Sequence, residues 1–503
     1  MKTNRVFNNF FSSILSQIVT LAFAIVIPRL ILVNLGSEAN GLLSTIDQIL
    51  VYVGLLEAGI GVASLQSLYG AFGKNDTNKV SSIVSATNTL YHRTGTAYFF
   101  VVVLLSVVSP FFISSDIENN VITTTFLLCG LPGAINYFFQ GKYKILLEAD
   151  GRKYIITNVN LVVKIASSII KIILLLNGFG IVALQIGFLC LSIAQMLFYL
   201  VYIRQKYRWL NLRAAPDYSA LSNSKYVILH NVAGLIFTNT DIVILSVFCG
   251  LKTVSVYSLY AMVFSIVSTI LSHFESADFI FGQTFNNDRE RYLKLHDVYE
   301  LYNMALTFSL FCVANILIIP FMRIYTEGVT DTNYVDSLLP YLFVTTFLLQ
   351  NARSSSLRAI KFAQHFKQTQ DQVVIEMIIN LVVSVLCVKV YGIYGVLFGT
   401  IAGLIYRSIA MIVYANKAVL KRSPMITIKR WIRNIVLYVI VILINRFLFS
   451  LDSVNTYVEM FAYAVLYTLV LSVGFFCVNS FVEREEFFYL RSIVKSIIKK
   501  HVN

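Results

Sequence analysis

The feature that most constrains this chain is a series of long apolar runs, each bounded by charged or turn-forming residues. About 20 consecutive apolar residues in helical conformation cross a bilayer core, so these runs predict about 14 transmembrane helices. The predicted spans are 8–33, 41–66, 88–114, 120–146, 154–176, 180–203, 224–249, 254–281, 299–321, 335–360, 371–390, 393–416, 430–449 and 456–480. We therefore expect an all-α polytopic membrane protein whose first run is an uncleaved span.

The basic residues are distributed so unevenly among the loops that they predict an orientation. With the N-terminus in the cytoplasm, the cytoplasmic segments hold 31 of the 40 Lys and Arg residues, and the opposite side holds only four. Such asymmetry follows the positive-inside rule. Because the basic residues lie in short loops rather than in one block, the net charge of +14 does not indicate nucleic-acid binding. We expect both termini in the cytoplasm.

A weak internal repeat predicts the domain organisation. The segments "ILVNLGSEANGLLSTIDQIL" and "VILSVFCGLKTVSVYSLYAM" each join an outgoing helix to a returning one through a glycine, and six spans separate them. Parallel repeats of this kind form two lobes related by an axis along the membrane normal, with a cavity between them. We expect six-helix lobes at 1–210 and 211–420, two additional spans within 421–482, and an amphipathic cytoplasmic tail helix at 483–503 on the inner leaflet.

Span 5 carries two lysines where a membrane helix should be apolar. Helical spacing places Asn160, Lys164, Ser167, Ser168 and Lys171 on one stripe. Lys164 lies roughly 18 Å from either helix end, too far to reach water easily, whereas Lys171 is closer to the outer end. A stripe with two cations should face a bundle interior or a water-filled cavity. The alternative is pairing with a buried carboxylate, for which Glu57 and Asp241 are available.

Three arginines also fall within predicted spans. Arg407 follows Gly395, Gly399 and Gly403 on one helix face, and small residues at this spacing allow close helix packing. Arg407 therefore points toward protein, either into a cavity or into a structural ion pair. Arg29 suits a cavity role or contact with the outer interface, and Arg93 is expected to reach the cytoplasmic interface.

Acidic residues within the spans are candidates for ion coupling. Asp47 and Glu57 lie in span 2, Asp241 in span 7 and Glu376 in span 11, with Asn380 four residues further on. Membrane carboxylates carry protons or bind sodium in many transporters, and Glu376 and Asn380 share a helix face that offers oxygen ligands. The alternative is that these acids only balance the lysines and arginines.

The sequence contains no pattern typical of a soluble enzyme or a metal site. The six cysteines are scattered singly through apolar segments, and there is no P-loop, G-x-S-x-G motif or zinc-spaced histidine cluster. We expect no catalytic residue, no resident metal and no cofactor.

Cations in a cavity favour an anionic substrate, because Lys and Arg bind phosphate through charge-assisted hydrogen bonds. Polar residues such as Tyr137, Gln140, Asn158 and Gln185 suit hydroxyl-rich groups.

The segment "IPRLILVNLGSEANGLLSTIDQILVYVGLLEAGIGVASLQSLYG" resembles the start of polysaccharide-biosynthesis flippases, which move O-antigen repeat units. The shared pattern is an arginine, a glycine that ends span 1, a small-residue turn and a Gly-rich stretch that closes span 2. The segment "NTDIVILSVFCG" of span 7 resembles a second copy. These flippases belong to the superfamily of multidrug, oligosaccharidyl-lipid and polysaccharide exporters. The likeness in organisation covers about the first 420 residues.

The resemblance implies a flippase of the bacterial cytoplasmic membrane. Its substrate would be a polyprenyl-pyrophosphate-linked oligosaccharide, carried from the inner to the outer leaflet by alternating access for cell-surface polysaccharide synthesis. Membrane lipids and other polysaccharide-assembly proteins would be its partners. The resemblance also implies that Arg29 lines the cavity, and that Asp241, Glu376 and Asn380, together with Thr400, form a coupling site for Na⁺ or H⁺.

Two other functions match the sequence less well. A polysaccharide polymerase or lipid-linked glycosyltransferase needs catalytic groups, which are usually carried on loops, and the external loops here are short. A multidrug exporter of the same fold typically accepts cationic compounds, which a cavity with lysines would repel. We expect Lys164, Lys171, Arg407, Arg29 and Asn160 to bind the substrate, and Asp241, Glu376, Asn380 and Glu57 to couple transport to an ion.

Overall fold

The structure is a computed structural model that describes residues 2–57, 59–218, 225–273, 278–448 and 454–502. Every regular element in these ranges is helical, and no β-strand occurs among the described residues. The chain divides into two compact units: residues 1–258 with 328–332 form unit 1, and residues 259–327 with 333–503 form unit 2. The predicted all-α membrane fold is confirmed, whereas the predicted lobe boundaries stay a prediction.

Unit 1 is built from eight helices and the first turns of a ninth. Helix α1 packs against α6 and α8, α3 packs against α4, and α7 contacts both α4 and α6. The bounds are α1 Lys2–Gly54, α2 Ile60–Gly73, α3 Thr77–Phe112, α4 Asn119–Ile135, α5 Gly141–Ala149, α6 Lys153–Leu176, α7 Ile181–Lys206, α8 Lys225–Phe248 and α9 Leu251–His273. One turn of 3₁₀ helix (Leu55–Glu57) and a π-helical segment (Asn136–Gln140) interrupt the second and fourth spans.

Unit 2 contains the rest of α9 and the remaining helices. Helix α11 contacts α12, α16 and α17, and α14 packs closely against α15. The bounds are α10 Asp278–Asn287, α11 Arg289–Tyr325, α12 Leu339–Ala352, α13 Ser354–Phe362, α14 Phe366–Tyr391, α15 Ile393–Tyr414, α16 Met425–Leu448, α17 Tyr457–Val482 and α18 Arg484–Val502. A π-helical segment (Ala415–Leu420) follows α15.

The helices agree with the predicted spans. Among the described residues, ten helices are long and apolar enough to cross a membrane, and one of them, Leu15–Glu57, overlaps both of the first two predicted spans. Helices α8 and α12 lie within the predicted spans 224–249 and 335–360, and α16 covers nearly all of the span 430–449. The predicted span 335–360 is two helices, because the chain turns at Arg353 between α12 and α13. The chain is therefore a multi-pass membrane protein.

Two glycines form the turns that the internal repeat predicts. Gly36 interrupts α1 with φ 84°, and Gly250 separates α8 from α9 with φ 81°. Both values lie in the left-handed region, which a residue with a Cβ rarely adopts. The turn at Gly36 is fixed by Asp331, whose carboxylate accepts hydrogen bonds from the backbone N–H and the hydroxyl of Ser37, at 2.8 and 2.6 Å. Both repeat segments therefore turn at a glycine with a positive φ.

The glycines of span 12 allow the close helix packing that their spacing predicts. A Cβ added at Gly399 would lie 2.1 Å from the Ser384 hydroxyl oxygen, and one at Gly395 would lie 2.5 Å from the Cys387 carbonyl. Helices α14 and α15 are therefore in backbone contact. Gly392, at φ 55°, makes the turn between them.

A buried cluster of ion pairs connects α16 and the end of α17 to α11. The guanidinium of Arg430, only 1% exposed, donates to Asp297 at 2.9 Å, to Glu300 at 2.5 Å and to Glu483 at 2.9 Å. Arg422 donates to the same two acids of α11. Removing one partner from such a cluster leaves an uncompensated buried charge, so these contacts hold the two additional helices in place.

Candidate functional site

Helix α6 presents a polar stripe to the interior of unit 1. Ser167 and Ser168 are buried, whereas Lys164 and Lys171 retain accessible surface within the unit. Apolar side chains such as Val162, Ile169 and Ile173 are exposed on the other side of the helix, as lipid-facing residues are. The stripe therefore faces protein and the apolar face does not, as its spacing predicts.

The stripe forms one wall of a cavity of about 370 Å³. Helices α1, α4 and α7 supply the other walls, and every lining residue belongs to unit 1. The lining residues are Phe23, Ala24, Ile27, Pro28, Ile31, Asn40, Leu43, Ser44, Asp47, Cys129, Lys164, Ser167, Ser168, Lys171, Gln185 and Phe188. Two cations, one carboxylate and several hydroxyl and amide groups thus surround one space between membrane helices.

The two lysines keep their ammonium groups available. Among the described residues, neither Lys164 nor Lys171 has an ion-pair partner within 4.0 Å. The Lys171 ammonium lies 5.7 Å from the centroid of the Phe188 ring, at the range of a cation–π contact. A cation–π contact leaves the N–H donors of an ammonium free to bind an anion in the cavity.

Asp47 is the acid that faces the lysines. Its carboxylate lines the same cavity and interacts electrostatically with Lys171 and Lys164. The sequence-based prediction offered Glu57 and Asp241 as partners and left Asp47 out of the site. The pattern was present, since Asn40, Ser44 and Asp47 follow one another at helical spacing on α1 and all three line the cavity. With all three groups ionised, the cavity holds one excess positive charge.

Two predicted substrate-binding residues lie beside this cavity rather than in its lining. Asn160 is exposed one turn before Lys164, and its carbonyl oxygen accepts a 2.8 Å hydrogen bond from the Gln195 amide. Arg29 is half-buried and follows Pro28, a lining residue. Among the described residues that line the cavity, neither appears. Their role in substrate binding stays a prediction.

Glu57 lies at the break in the second span, within unit 1. It belongs to the 3₁₀ turn after α1, and its carboxylate accepts a hydrogen bond from the Tyr91 hydroxyl. Tyr91 packs edge-to-face on Tyr137, which is the second residue of the π-helical segment. Tyr91 thus connects the Glu57 carboxylate of the 3₁₀ turn to the π-helical segment. Broken helices often mark ion or substrate sites in transporters.

Asp241 belongs to α8 in unit 1 and is 4% exposed. Its carboxylate accepts a 2.8 Å hydrogen bond from the Tyr257 hydroxyl of α9. The neighbouring Thr240 shares a 2.7 Å hydrogen bond with Tyr52 of α1. Asp241 therefore lies where α8 contacts two other helices of the unit.

Glu376 and Arg407 meet within unit 2. One carboxylate oxygen of Glu376 accepts a 3.0 Å hydrogen bond from Arg353, and the other lies 3.7 Å from the Arg407 guanidinium. Arg407 also donates to the Gln372 side-chain oxygen at 2.9 Å and to the Thr369 carbonyl at 3.2 Å. Of the two roles predicted for Arg407, these contacts match the structural ion pair. The contacts of Glu376 with the two arginines match the interpretation of this carboxylate as a counter-charge.

Asn380 lies one helical turn beyond Glu376 but has a different partner. Its amide donates a 2.8 Å hydrogen bond to the Thr400 hydroxyl across the α14–α15 contact. Asn380 and Thr400 are therefore in contact, whereas Glu376 faces two arginines, and the coupling role of these residues stays a prediction. The described residues contain no cluster of three or more His, Cys, Asp or Glu side chains suited to a metal ion.

Comparison with known proteins identifies the fold. No protein-family model and no curated protein sequence matches the chain. Among solved structures, the chain is similar to MATE transporters and to the lipid II flippase MurJ.

Two of these structures illustrate the likeness. The lipid II flippase MurJ in an inward closed conformation has a TM-score of 0.66 at 13% identity, covering 93% of this chain and 98% of that one. A multidrug resistance MATE family transporter in an inward-facing conformation has a TM-score of 0.62 at 14% identity, covering 80% and 95%. The chain therefore has the fold shared by MATE transporters and MurJ.

Proposed function

We propose that this protein is a flippase that carries a polyprenyl-pyrophosphate-linked oligosaccharide from the inner to the outer leaflet of the bacterial cytoplasmic membrane. The observation that carries the proposal is the cavity of unit 1, in which Lys164 and Lys171 face a space of about 370 Å³ inside the membrane-spanning bundle. Charges are expensive inside a membrane and usually serve transport. The lipid II flippase among the similar structures supports the lipid-linked class of substrate.

The lysines would bind the phosphate groups of the substrate. An ammonium donates up to three hydrogen bonds, and charge-assisted bonds to phosphate oxygens are about twice as strong as neutral ones. Ser167, Ser168 and Gln185 surround the lysines and offer further donors. The prenyl chain would stay in the hydrocarbon of the bilayer while the polar part enters the protein. This division suits an amphiphile with an anionic head.

Asp47 would set the charge of the empty cavity. Without substrate, its carboxylate offsets part of the charge on Lys164 and Lys171, so the lysines do not require tightly held counter-ions. An entering pyrophosphate brings more negative charge than Asp47 and competes for the same ammonium groups. Binding would therefore be selective for anions but reversible, as transport requires.

Alternating access would couple substrate binding to movement across the membrane. A ligand shifts a two-state equilibrium only by its differential affinity for the two states. We propose that Na⁺ or H⁺ supplies this bias at the carboxylates of Asp241, Glu376 and Glu57, together with the side-chain amide of Asn380. Glu57 and Asp241 each accept a hydrogen bond from a tyrosine hydroxyl, and the oxygens of a carboxylate are the atoms that bind a proton or a hard cation.

The multidrug exporters of the same fold suggest the main rival function. A cavity with two lysines and one aspartate repels cationic drugs, so its charge favours the flippase. A membrane-bound polymerase or glycosyltransferase would instead transfer sugar to an acceptor. Purified protein incubated with radiolabelled lipid-linked donor separates these classes, because only an enzyme yields transferred or polymerised sugar.

The decisive test is transport by reconstituted protein. Proteoliposomes loaded with a polyprenyl-pyrophosphate-linked oligosaccharide should show translocation that the double substitution Lys164→Ala and Lys171→Ala abolishes. Lys153→Ala, at the exposed start of the same helix, is the matched control and should transport normally. Full activity of the double variant, with normal membrane insertion, would refute the proposal. Depleting the protein in cells and analysing lipid-linked glycans by mass spectrometry would name the repeat unit that accumulates.

A further inference from the structure

A second open space lies in unit 2, on the surface of α14 and α15. This α14–α15 groove has a volume of about 550 Å³ and an almost entirely apolar lining. Its walls are Gln372 of α14 and a set of residues from α15 and the π-helical segment that follows. That set is Tyr406, Ile409, Ala410, Val413, Tyr414, Lys417 and Ala418.

The groove follows one stripe of α15. Residues 406, 409, 410, 413, 414 and 417 recur at helical spacing, so they extend along one face for roughly 16 Å. That length is about half of the roughly 30 Å hydrocarbon core. Because α15 ends at the predicted cytoplasmic side, the groove would span the inner leaflet. Its dimensions suit one extended hydrocarbon chain.

The predicted cytoplasmic end of the groove carries a cation. Lys417 is exposed, and among the described residues it has no ion-pair partner within 4.0 Å. A lysine at the membrane surface binds the phosphate of a lipid head group while apolar residues contact the chain. An apolar stripe that ends in one cation is complementary to a lipid with one chain and a phosphate.

The groove is connected to the buried ion pairs of unit 2. Gln372 lines the groove, and its side-chain oxygen accepts the 2.9 Å hydrogen bond from Arg407. Arg407 in turn lies 3.7 Å from Glu376. A chain that occupies the groove would therefore contact the residue that orients Arg407.

Unit 1 offers an internal comparison. Helices α6 and α7 form an apolar groove of about 330 Å³, lined in part by Val162, Leu191 and Phe198. Helices α6 and α7 hold predicted spans 5 and 6, as α14 and α15 hold spans 11 and 12. The described lining of the α6–α7 groove contains no lysine or arginine. A generic lipid-facing groove would need no cation, so Lys417 distinguishes the α14–α15 groove.

We propose that the α14–α15 groove binds the polyprenyl chain of the substrate's lipid carrier, with the carrier phosphate on Lys417. This inference rests on the proposed function, since it assumes a polyprenyl-linked substrate. The groove would hold the carrier at the inner leaflet before its head group enters the cavity. Occupancy of the groove would affect the buried ion pairs through the contact of Gln372 with Arg407.

Native mass spectrometry of the purified full chain with polyprenyl monophosphate tests the groove directly. We expect binding that Lys417→Gln weakens by at least about tenfold, since a charge-assisted hydrogen bond is lost. Ile409→Trp fills the groove from a residue that is 58% exposed, so it should fold normally and abolish binding. The matched control is Val162→Trp, at a 65% exposed residue of the α6–α7 groove, which should bind normally.

Further probes separate the outcomes. Polyprenol without phosphate should bind no better to the wild-type chain than to Lys417→Gln, and phosphatidylglycerol should bind more weakly than polyprenyl monophosphate. Equal binding of phosphatidylglycerol, or equal losses in Ile409→Trp and Val162→Trp, would overturn the groove proposal and indicate ordinary lipid contact. The Lys164→Ala/Lys171→Ala variant should lose transport but keep polyprenyl monophosphate binding. Normal transport in that variant would instead overturn the proposed function alone.

Discussion

Arg407 and Glu376, one predicted to bind substrate and the other to couple an ion, are partners in the interior of unit 2. Their charged groups lie 3.7 Å apart, and both residues are at most 4% exposed. Arg353 binds the other oxygen of Glu376 at 3.0 Å. One carboxylate thus offsets the charge of two guanidinium groups. Substitution of Glu376 can therefore distinguish a structural role of this residue from a role in ion coupling.

Replacing Glu376 with glutamine should destabilise the protein. The change leaves Arg353 and Arg407 without their shared carboxylate, and breaking a buried ion pair costs about 3–5 kcal/mol. Thermal unfolding of purified protein in detergent measures the loss. Glu290→Gln, which removes an exposed i,i+4 pair with Lys294, should leave the unfolding temperature nearly unchanged. A Glu376→Gln protein of normal stability that has lost only its dependence on Na⁺ or H⁺ would show the coupling role instead.

Replacing Asp47 with asparagine should strengthen binding of anions in the cavity. The substitution removes the negative charge that faces Lys164 and Lys171, so we expect at least about a threefold lower Kd for the lipid-linked pyrophosphate. Equilibrium binding at two salt concentrations measures the change. Asp116→Asn, at a side chain that is 90% exposed, removes the same charge elsewhere in unit 1 and should have no effect. Unchanged or weaker binding in Asp47→Asn would contradict the assigned role of Asp47.

Replacing Gly399 with alanine should disturb the α14–α15 contact. The added Cβ would lie 2.1 Å from the Ser384 hydroxyl, and overpacking of this kind costs about 1–3 kcal/mol. Gly474→Ala is the matched control within another membrane helix, where nothing lies within 4 Å of the new Cβ. That control should be neutral or slightly stabilising, by up to about 1 kcal/mol. Equal unfolding temperatures for the two variants would show that the helices are not in backbone contact.

The predicted orientation can be tested by thiol labelling in intact cells. In a variant without native cysteines, a cysteine at Lys74 should react with a membrane-impermeant maleimide only after permeabilisation. A cysteine at Asp116 should react without it, because the distribution of basic residues places this loop outside. Both positions are exposed, so accessibility to solvent does not differ between them. The reverse labelling pattern would invert the topology.

The sequence predicts the helices and one wall of the cavity well. Lysines in an apolar run can only face protein or water, so helical spacing alone places Lys164 and Lys171 on an interior stripe. The partner of that stripe depends on which helices meet and at what height. For this reason Asp47 faces the lysines, whereas Glu57 meets Tyr91 and Asp241 meets Tyr257. Periodicity within one helix carries no information on such contacts between helices.

The break in span 2 shows another limit of sequence reasoning. Residues 41–66 form one continuous apolar pattern, yet α1 ends at Gly54 and α2 begins at Ile60. Hydropathy measures how well a segment suits lipid, and it is insensitive to where the backbone leaves the helix. The glycines in this stretch were the available signal, and Gly59 does adopt φ 95°.

Cys129 lines the cavity beside the two lysines, so its thiol can serve as a native probe of the electrostatic potential inside the cavity. A thiol reacts through its thiolate, and the local potential concentrates or repels a charged reagent. An anionic methanethiosulfonate should therefore modify Cys129 faster than a cationic one of similar size, and Cys129→Ser supplies the background from the other cysteines. The ratio of the two modification rates gives the sign of the potential inside the cavity without any substrate. In Lys164→Ala/Lys171→Ala the ratio should reverse, because only the negative charge of Asp47 then remains in the cavity.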